Sequence, residues 1–258
     1  MIRYSNEEGF IKARGLKTRE EQKSDIVLPK VAVGVFSRQL YNDVIQKFNC
    51  EEVGYISMAN MERNVYILDY KGTKLTFFMA GVSGPWISGD LENLSVNGVE
   101  KFIIFGNCGV LDSKIEDCSI IIPTKAFRED GTGQHYVEDS ETIDLNPKYQ
   151  EEFIEILNKY DFDYTKGYTW TTDAFFRETK DKIDYYRKKG AVCVEMEGAT
   201  IAAIAQRKNL EYFTFYYAGD NLDSAEWDER SLSGNVNIDK KKEVMTLALE
   251  LALKLNEK

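Results

Sequence analysis

The chain holds a single histidine, His135, among its 258 residues. That scarcity argues against a multi-histidine metal site, and any Ser-His-Asp triad would depend on this one residue. Cysteine is scarce as well. Cys50, Cys108, Cys118 and Cys193 form no CxxC pair and no His-linked zinc pattern, which predicts a reduced, cytoplasmic protein without a bound metal. Basic charge falls short of acidic charge, with 33 Lys and Arg against 43 Asp and Glu and a net charge of -10. A nucleic-acid partner needs a basic footprint, so no nucleic acid is expected, although a local pocket could still hold one anion. No apolar run approaches the ~18 residues of a membrane helix. The opening "MIRYSNEEGF" has no signal-peptide core, so no membrane contact is expected either. Only four prolines occur, and no low-complexity stretch suggests a linker. Residues 1–258 are therefore expected to form one domain, with a polar arm over 1–28. Neither a dinucleotide fingerprint nor a P-loop occurs.

What the chain does have is regular alternation. Strands are predicted over 31–35, 52–58, 64–70, 74–79, 101–105, 119–122, 164–169, 191–194 and 212–218. Helices are predicted over 38–48, 85–96, 147–160, 179–189, 198–208 and 239–256. This order predicts an α/β domain on a mostly parallel or mixed sheet. Val244, Leu247, Leu251 and Leu255 recur at helical spacing, so the last helix is read as a packing element.

In such sheets ligands collect where strands give way to helices. Three stretches read as glycine turns at such places: "VAVGVFSRQL" with Gly34, "FFMAGVSGPWISG" with Gly81 and Gly84, and "FIIFGNCGVLD" with Gly106 and Gly109. Glycine lets backbone N–H groups approach an anion, and Arg38 at a helix start could assist. The same glycines could equally make ordinary tight turns, and Arg38 could be a solvated helix residue.

The segment "CVEMEGATIAAIA" places Glu195 and Glu197 just before an apolar, small-residue helix. On an extended chain two carboxylates two residues apart face the same way. Either they serve the helix dipole, or one receives a sugar diol, because a carboxylate accepts from two hydroxyls at once. Asp220, after the aromatic strand "YFTFYYAGD", could shape a turn or act as a general acid. Phe175 and Phe176 in "TWTTDAFFRET" could stack on a flat base or pack in the core.

Together these segments resemble the nucleoside phosphorylase family, which includes bacterial purine nucleoside phosphorylases, uridine phosphorylases and methylthioadenosine nucleosidases. "VCVEMEGATIAAIA" resembles the family's Val-Glu-Met-Glu segment and "GVFSRQL" its phosphate loop. "GVSGPWIS" resembles the Gly-x-Gly-x-Pro-Ser turn and "FGNCGVL" the Gly-(Ser/Thr)-(Cys/Ala)-Gly turn. "TTDAFFRE" resembles the base-site segment, and "YAGDNL" the Ser-Asp segment of purine-specific members. The resemblance covers about residues 30–255 in family order. It implies a three-layer fold with a central mixed sheet flanked by helices, and phosphorolysis of purine nucleosides to free base and ribose 1-phosphate. It implies a homo-oligomer built on dimers, up to a hexamer, with phosphate as co-substrate and no cofactor.

Residue by residue, Glu197, Met196 and Val82 would hold the ribose, with Glu195 in support. Gly34, Arg38 and Asn107 would hold phosphate, with Arg63 matching an arginine donated across a dimer interface. Phe175, Cys108, Gly109 and Val194 would contact the base. Asp220 would protonate purine N7, and Arg230 would move toward it. Two positions depart from the pattern. Ile104 stands where the phosphorylases carry an arginine, and Val35-Phe36 replaces the Asp-Pro of the phosphate loop. These departures keep a nucleosidase of the same fold in view, with water as acceptor. A uridine phosphorylase and a non-catalytic nucleoside-binding protein are the further alternatives.

Overall fold

The computed structural model describes residues 4–18, 26–58, 60–232 and 235–258. Of the expected arm, residues 1–3 and 19–25 lie outside it, as do Ser233 and Gly234 of the "WDERSLSGN" segment. In chain order the elements are β1 (Val31–Val35), α1 (Arg38–Lys47), β2 (Asn49–Met58), β3 (Met61–Tyr70), β4 (Thr73–Met79), α2 (Gly84–Val96) and β5 (Lys101–Val110). β6 (Ile120–Glu129), β7 (Thr142–Asp144), α3 (Gln150–Lys159), β8 (Tyr164–Thr172) and α4 (Lys180–Lys188) follow. β9 (Ala191–Glu195), α5 (Gly198–Lys208), β10 (Glu211–Asn221) and α6 (Ile238–Asn256) complete the chain.

The strands form one mixed sheet in the order β10-β6-β8-β9-β5-β1-β4-β3-β2, with β7 beside β6. β10 also pairs with β5, so β5, β10, β6, β8 and β9 close into a ring. Helices cover both faces. On one side α1, α3 and α6 bury Leu40, Phe153 and Leu247 against Val33, Phe105 and Phe215. On the other, α2 and α5 bury Leu91 and Ile201 against Phe78 and Ile104. This is the expected three-layer α/β architecture. The four apolar residues that mark α6 in the sequence are all fully buried, each worth roughly 1.5–3 kcal/mol of burial.

The glycine stretches differ from their reading as turns. Gly34 lies inside β1, where a Cβ would meet the Phe78 ring at 2.5 Å. β5 runs on through Gly106 and Gly109 to Val110 rather than stopping at Phe105. A Cβ on Gly106 would meet Phe36 at 2.7 Å, and one on Gly109 would meet Leu222 at 2.4 Å. These glycines make room for neighbouring side chains rather than turning the chain. Gly81, by contrast, does sit between β4 and α2, where Pro85 occupies the first helical turn.

Candidate active site

The C-terminal ends of β5, β9 and β10, with the segment after β8, surround one cavity of about 510 Å³. Its walls include Val82, Asn107, Cys108, Gly109, Phe175, Val194, Met196, Glu197 and Asp220. Those residues come from five separate segments, and parallel pairing of β10 with β5 and of β8 with β9 helps bring them together. Gly34, Arg38, Arg63 and Arg230 are not among the lining residues.

At one end the two glutamates divide the work. Glu195 ends β9 and is fully engaged. Its Oε2 accepts from the backbone N–H groups of Glu197 at 2.7 Å and Gly198 at 2.6 Å, so Glu195 caps the start of α5. Its Oε1 accepts from Thr171 and from Thr169. Gly198 admits no side chain there, because a Cβ would meet the Tyr216 hydroxyl at 2.6 Å. Glu197 is thereby freed from capping α5, and its carboxylate accepts from the Ser83 backbone N–H. Ser83 stands at the second glycine of the Gly-x-Gly-x-Pro-Ser turn and adopts φ 79°, a conformation that favours glycine. Burial, then the charge of Glu195, pushes Glu197 up to about 8. Both carboxyl groups are 6% exposed.

At the other end β10 has an irregular register between Ala218 and Asp220, which turns Asp220 inward at Gly109. Burial raises Asp220, and the Trp227 indole, donating from Nε1 to Oδ2 at 2.8 Å, is the largest opposing influence. Arg230 donates to the Ile115 carbonyl at 2.8 Å and pairs with Asp228, so its guanidinium is engaged away from Asp220. Phe175 and Phe176 are 50% and 88% exposed with ring centroids 4.1 Å apart, which rules out the core-packing reading of that pair. Glu178, just after them, also lines the cavity; burial, then the charge of Asp220, pushes it up to about 7. Glu178 and Trp227 went unread in the sequence, because each sits in a polar, charged stretch that looks like surface.

The third side differs in character. Phe36 lines it, and Ile104 beneath is completely buried. Arg38 opens α1 behind the Ser37 cap but is exposed. Arg63 is not presented for donation to a neighbouring subunit. It is buried against Asp90, with Nη1–Oδ2 at 2.8 Å, and also donates to the Met79 carbonyl at 3.0 Å. Asp90 in turn accepts from the Gly81 N–H at 2.7 Å, so the pair braces the turn that carries Val82. Lys180 is the one cation among the described lining residues.

Comparison with known proteins places the chain among phosphorylases. The chain is 31% identical over 153 residues to a guanosine phosphorylase of Halorubrum lacusprofundi, spanning 58% of this chain and 63% of that protein. It is 27% identical over 195 residues to a DeoD-type purine nucleoside phosphorylase of Mycoplasma genitalium, spanning 74% and 80%. It is 26% identical over 149 residues to a uridine phosphorylase of Thermococcus kodakarensis, spanning 53% and 54%. The fold matches the crystal structure of the Toxoplasma gondii purine nucleoside phosphorylase in complex with immucillin-H. That match has a TM-score of 0.77 at 17% identity and covers 97% of this chain and 99% of the other. The model of the phosphorylase superfamily matches residues 30–256, so the chain belongs to that superfamily.

Proposed function

We propose that the protein is a nucleoside phosphorylase that cleaves purine nucleosides to free base and ribose 1-phosphate. The observation that carries this reading is the pair Glu197 and Asp220. They are two buried carboxyl groups from different strand ends, both on the wall of one nucleoside-sized cavity with aromatic rings beside it. Glu197 receives the ribose 2′- and 3′-hydroxyls, with Met196 and Val82 against the sugar. Those two donors stabilise the carboxylate and draw its raised pKa back down. Phe175, Cys108, Gly109 and Val194 frame the base. As the C1′–N bond breaks, its electron pair goes to the base and the sugar becomes oxocarbenium-like. Asp220 gives its proton to N7, and a phosphate oxygen closes on C1′. Phosphate enters beside Asn107 and the start of α1, where Arg38 and the helix N-terminus favour an anion. No metal or organic cofactor takes part.

A second reading, hydrolysis by water, is favoured by one specific observation: apolar Phe36 lines the cavity, while Arg38 does not line it and Ile104 is sealed in the core. We also infer a cytoplasmic homo-oligomer built on dimers. The four free thiols among the described residues support the compartment, and the exposed Phe10 and Ile11 support assembly. No helix among the described residues is long and apolar enough to cross a membrane. The test is a panel of inosine, guanosine, adenosine and uridine with the purified protein. Release of free purine base supports the reading, and preference for uridine contradicts its purine assignment. Binding without cleavage would make the protein a nucleoside-binding module.

A further inference from the structure

The two oxygens of Asp220 are not equivalent. Oδ2 accepts from the Trp227 indole at 2.8 Å. Oδ1 stands over Gly109, 3.3 Å from where a Cβ on that glycine would lie, and Gly109 is part of the cavity wall. An indole N–H donates and cannot accept. The carbonyl oxygen of a protonated carboxyl group is a better acceptor than its hydroxyl oxygen. A donor fixed on Oδ2 therefore favours the form with the proton on Oδ1.

We infer that Trp227 is a positioning residue that keeps the Asp220 proton on Oδ1, the oxygen over Gly109 of the cavity wall, and stabilises the carboxylate left when that proton departs. This rests on the reading of Asp220 as the acid for the leaving base. In the step itself the O–H bond at Oδ1 breaks, the proton passes to the purine ring nitrogen, and the C1′–N electron pair goes to the base. The new carboxylate then holds a charge-assisted bond from the indole, a stronger bond than the neutral carboxyl group made.

The placement of Trp227 fits this role better than a role in the core. It is 62% exposed, so little of its ring serves packing. It reaches Asp220 because the chain folds back just after β10, where Asn221 and Asp228 exchange backbone hydrogen bonds of 2.9 and 3.3 Å. The resemblance gave this partnership to Arg230, which is engaged with Ile115 and Asp228 instead. The other groups that bear on Asp220 are Glu178 after β8, Asp228 and Arg230 on the returning segment, and the Cys108 thiol on β5. Each of them would remain in place when the indole is replaced by a benzene ring.

Trp227→Phe keeps an aromatic wall and removes only the donor. The measurements are a 13C-detected titration of the Asp220 carboxyl group in both proteins, and pH profiles with inosine and 7-methylguanosine. The second nucleoside already carries a cationic base and needs no proton. Loss of the donor destabilises the carboxylate, so the Asp220 midpoint should rise, while Glu178, which the Asp220 charge pushes up, should not rise with it. The alkaline limb of the inosine profile should move to higher pH with it. Turnover of inosine should fall about tenfold, the scale of one charge-assisted bond, with KM little changed and 7-methylguanosine unaffected. An unmoved Asp220 midpoint with equal losses on both nucleosides would overturn the inference and leave Trp227 as a wall. If the wild type cleaves neither nucleoside, the phosphorylase reading fails, while the titration still decides whether Trp227 governs the Asp220 proton.

Discussion

The two sides of the cavity were built under different rules. The side proposed for sugar and base is crowded with acid: Glu178, Glu195, Glu197 and Asp220 all line the cavity. Each costs desolvation, and burial is the largest influence raising all four. The side proposed for the acceptor has no cation on the wall: Phe36 and Asn107 line it, Ile104 is sealed in the core and Arg38 lies outside. Buried carboxyl groups are retained only where something compensates them, and Glu195 has four donors. Glu197 and Asp220 have fewer, so both keep capacity for a ligand. On the proposed reading, the comparison teaches that recognition would be concentrated on the nucleoside, with the acceptor held loosely.

The strongest way to break that comparison is at Asp220. Asp220→Asn should slow cleavage of inosine or guanosine by about 10²–10⁴-fold, the usual range for a lost general acid. Steady-state rates checked beside a melting curve would separate this from a turn-shaping role, which predicts lost stability and equal losses on every substrate.

Next in size is Glu197. Glu197→Gln should lower turnover about 10²-fold with the fold intact, since charge-assisted bonds of roughly 1.5–3 kcal/mol each are weakened. The same variant has a pH signature. A folded-state pKa of about 8, above the ordinary carboxylate value, means the native protein binds this proton more tightly than the unfolded chain. Stability from this group is therefore complete at acid pH and is lost as pH rises toward 8. Differential scanning calorimetry without ligand should show Glu197→Gln melting a few degrees above the wild type at about pH 8–9, with the gap closing near pH 5. A gap that does not change with pH would contradict the buried, proton-holding carboxyl group.

Much of the nucleoside side was legible in the sequence, because its residues sit at strand ends whose motifs are local. Glu197 and Met196 follow β9, Asp220 and Asn107 lie near the C-terminal ends of β10 and β5, and the chain topology then gathers them. What stayed hidden depends on contacts between distant segments. Gly106 and Gly109 looked like turn formers because their neighbours Phe36 and Leu222 are remote in sequence. Arg63 looked like a free cation because Asp90, its partner, lies on α2, reached from β3 only after all of β4. Glu178 and Trp227 looked like solvated loop residues until the fold turned both toward Asp220. The division of labour between Glu195 and Glu197 was also invisible, since it depends on donors from β8 and the start of α5.

The smallest expected effect is at the loosely held side. Arg38→Ala should raise the apparent KM for phosphate about tenfold, the scale of one charged hydrogen bond, and leave the nucleoside KM unchanged. A change in nucleoside KM instead would place Arg38 on the sugar side.

The acceptor itself is the central question. With saturating nucleoside and protein freed of phosphate, cleavage should be negligible. Added phosphate should restore it, with ribose 1-phosphate formed in equal amount to free base. Base release at full rate without phosphate, accompanied by free ribose, would contradict phosphorolysis and make the apolar acceptor side the mark of a hydrolase.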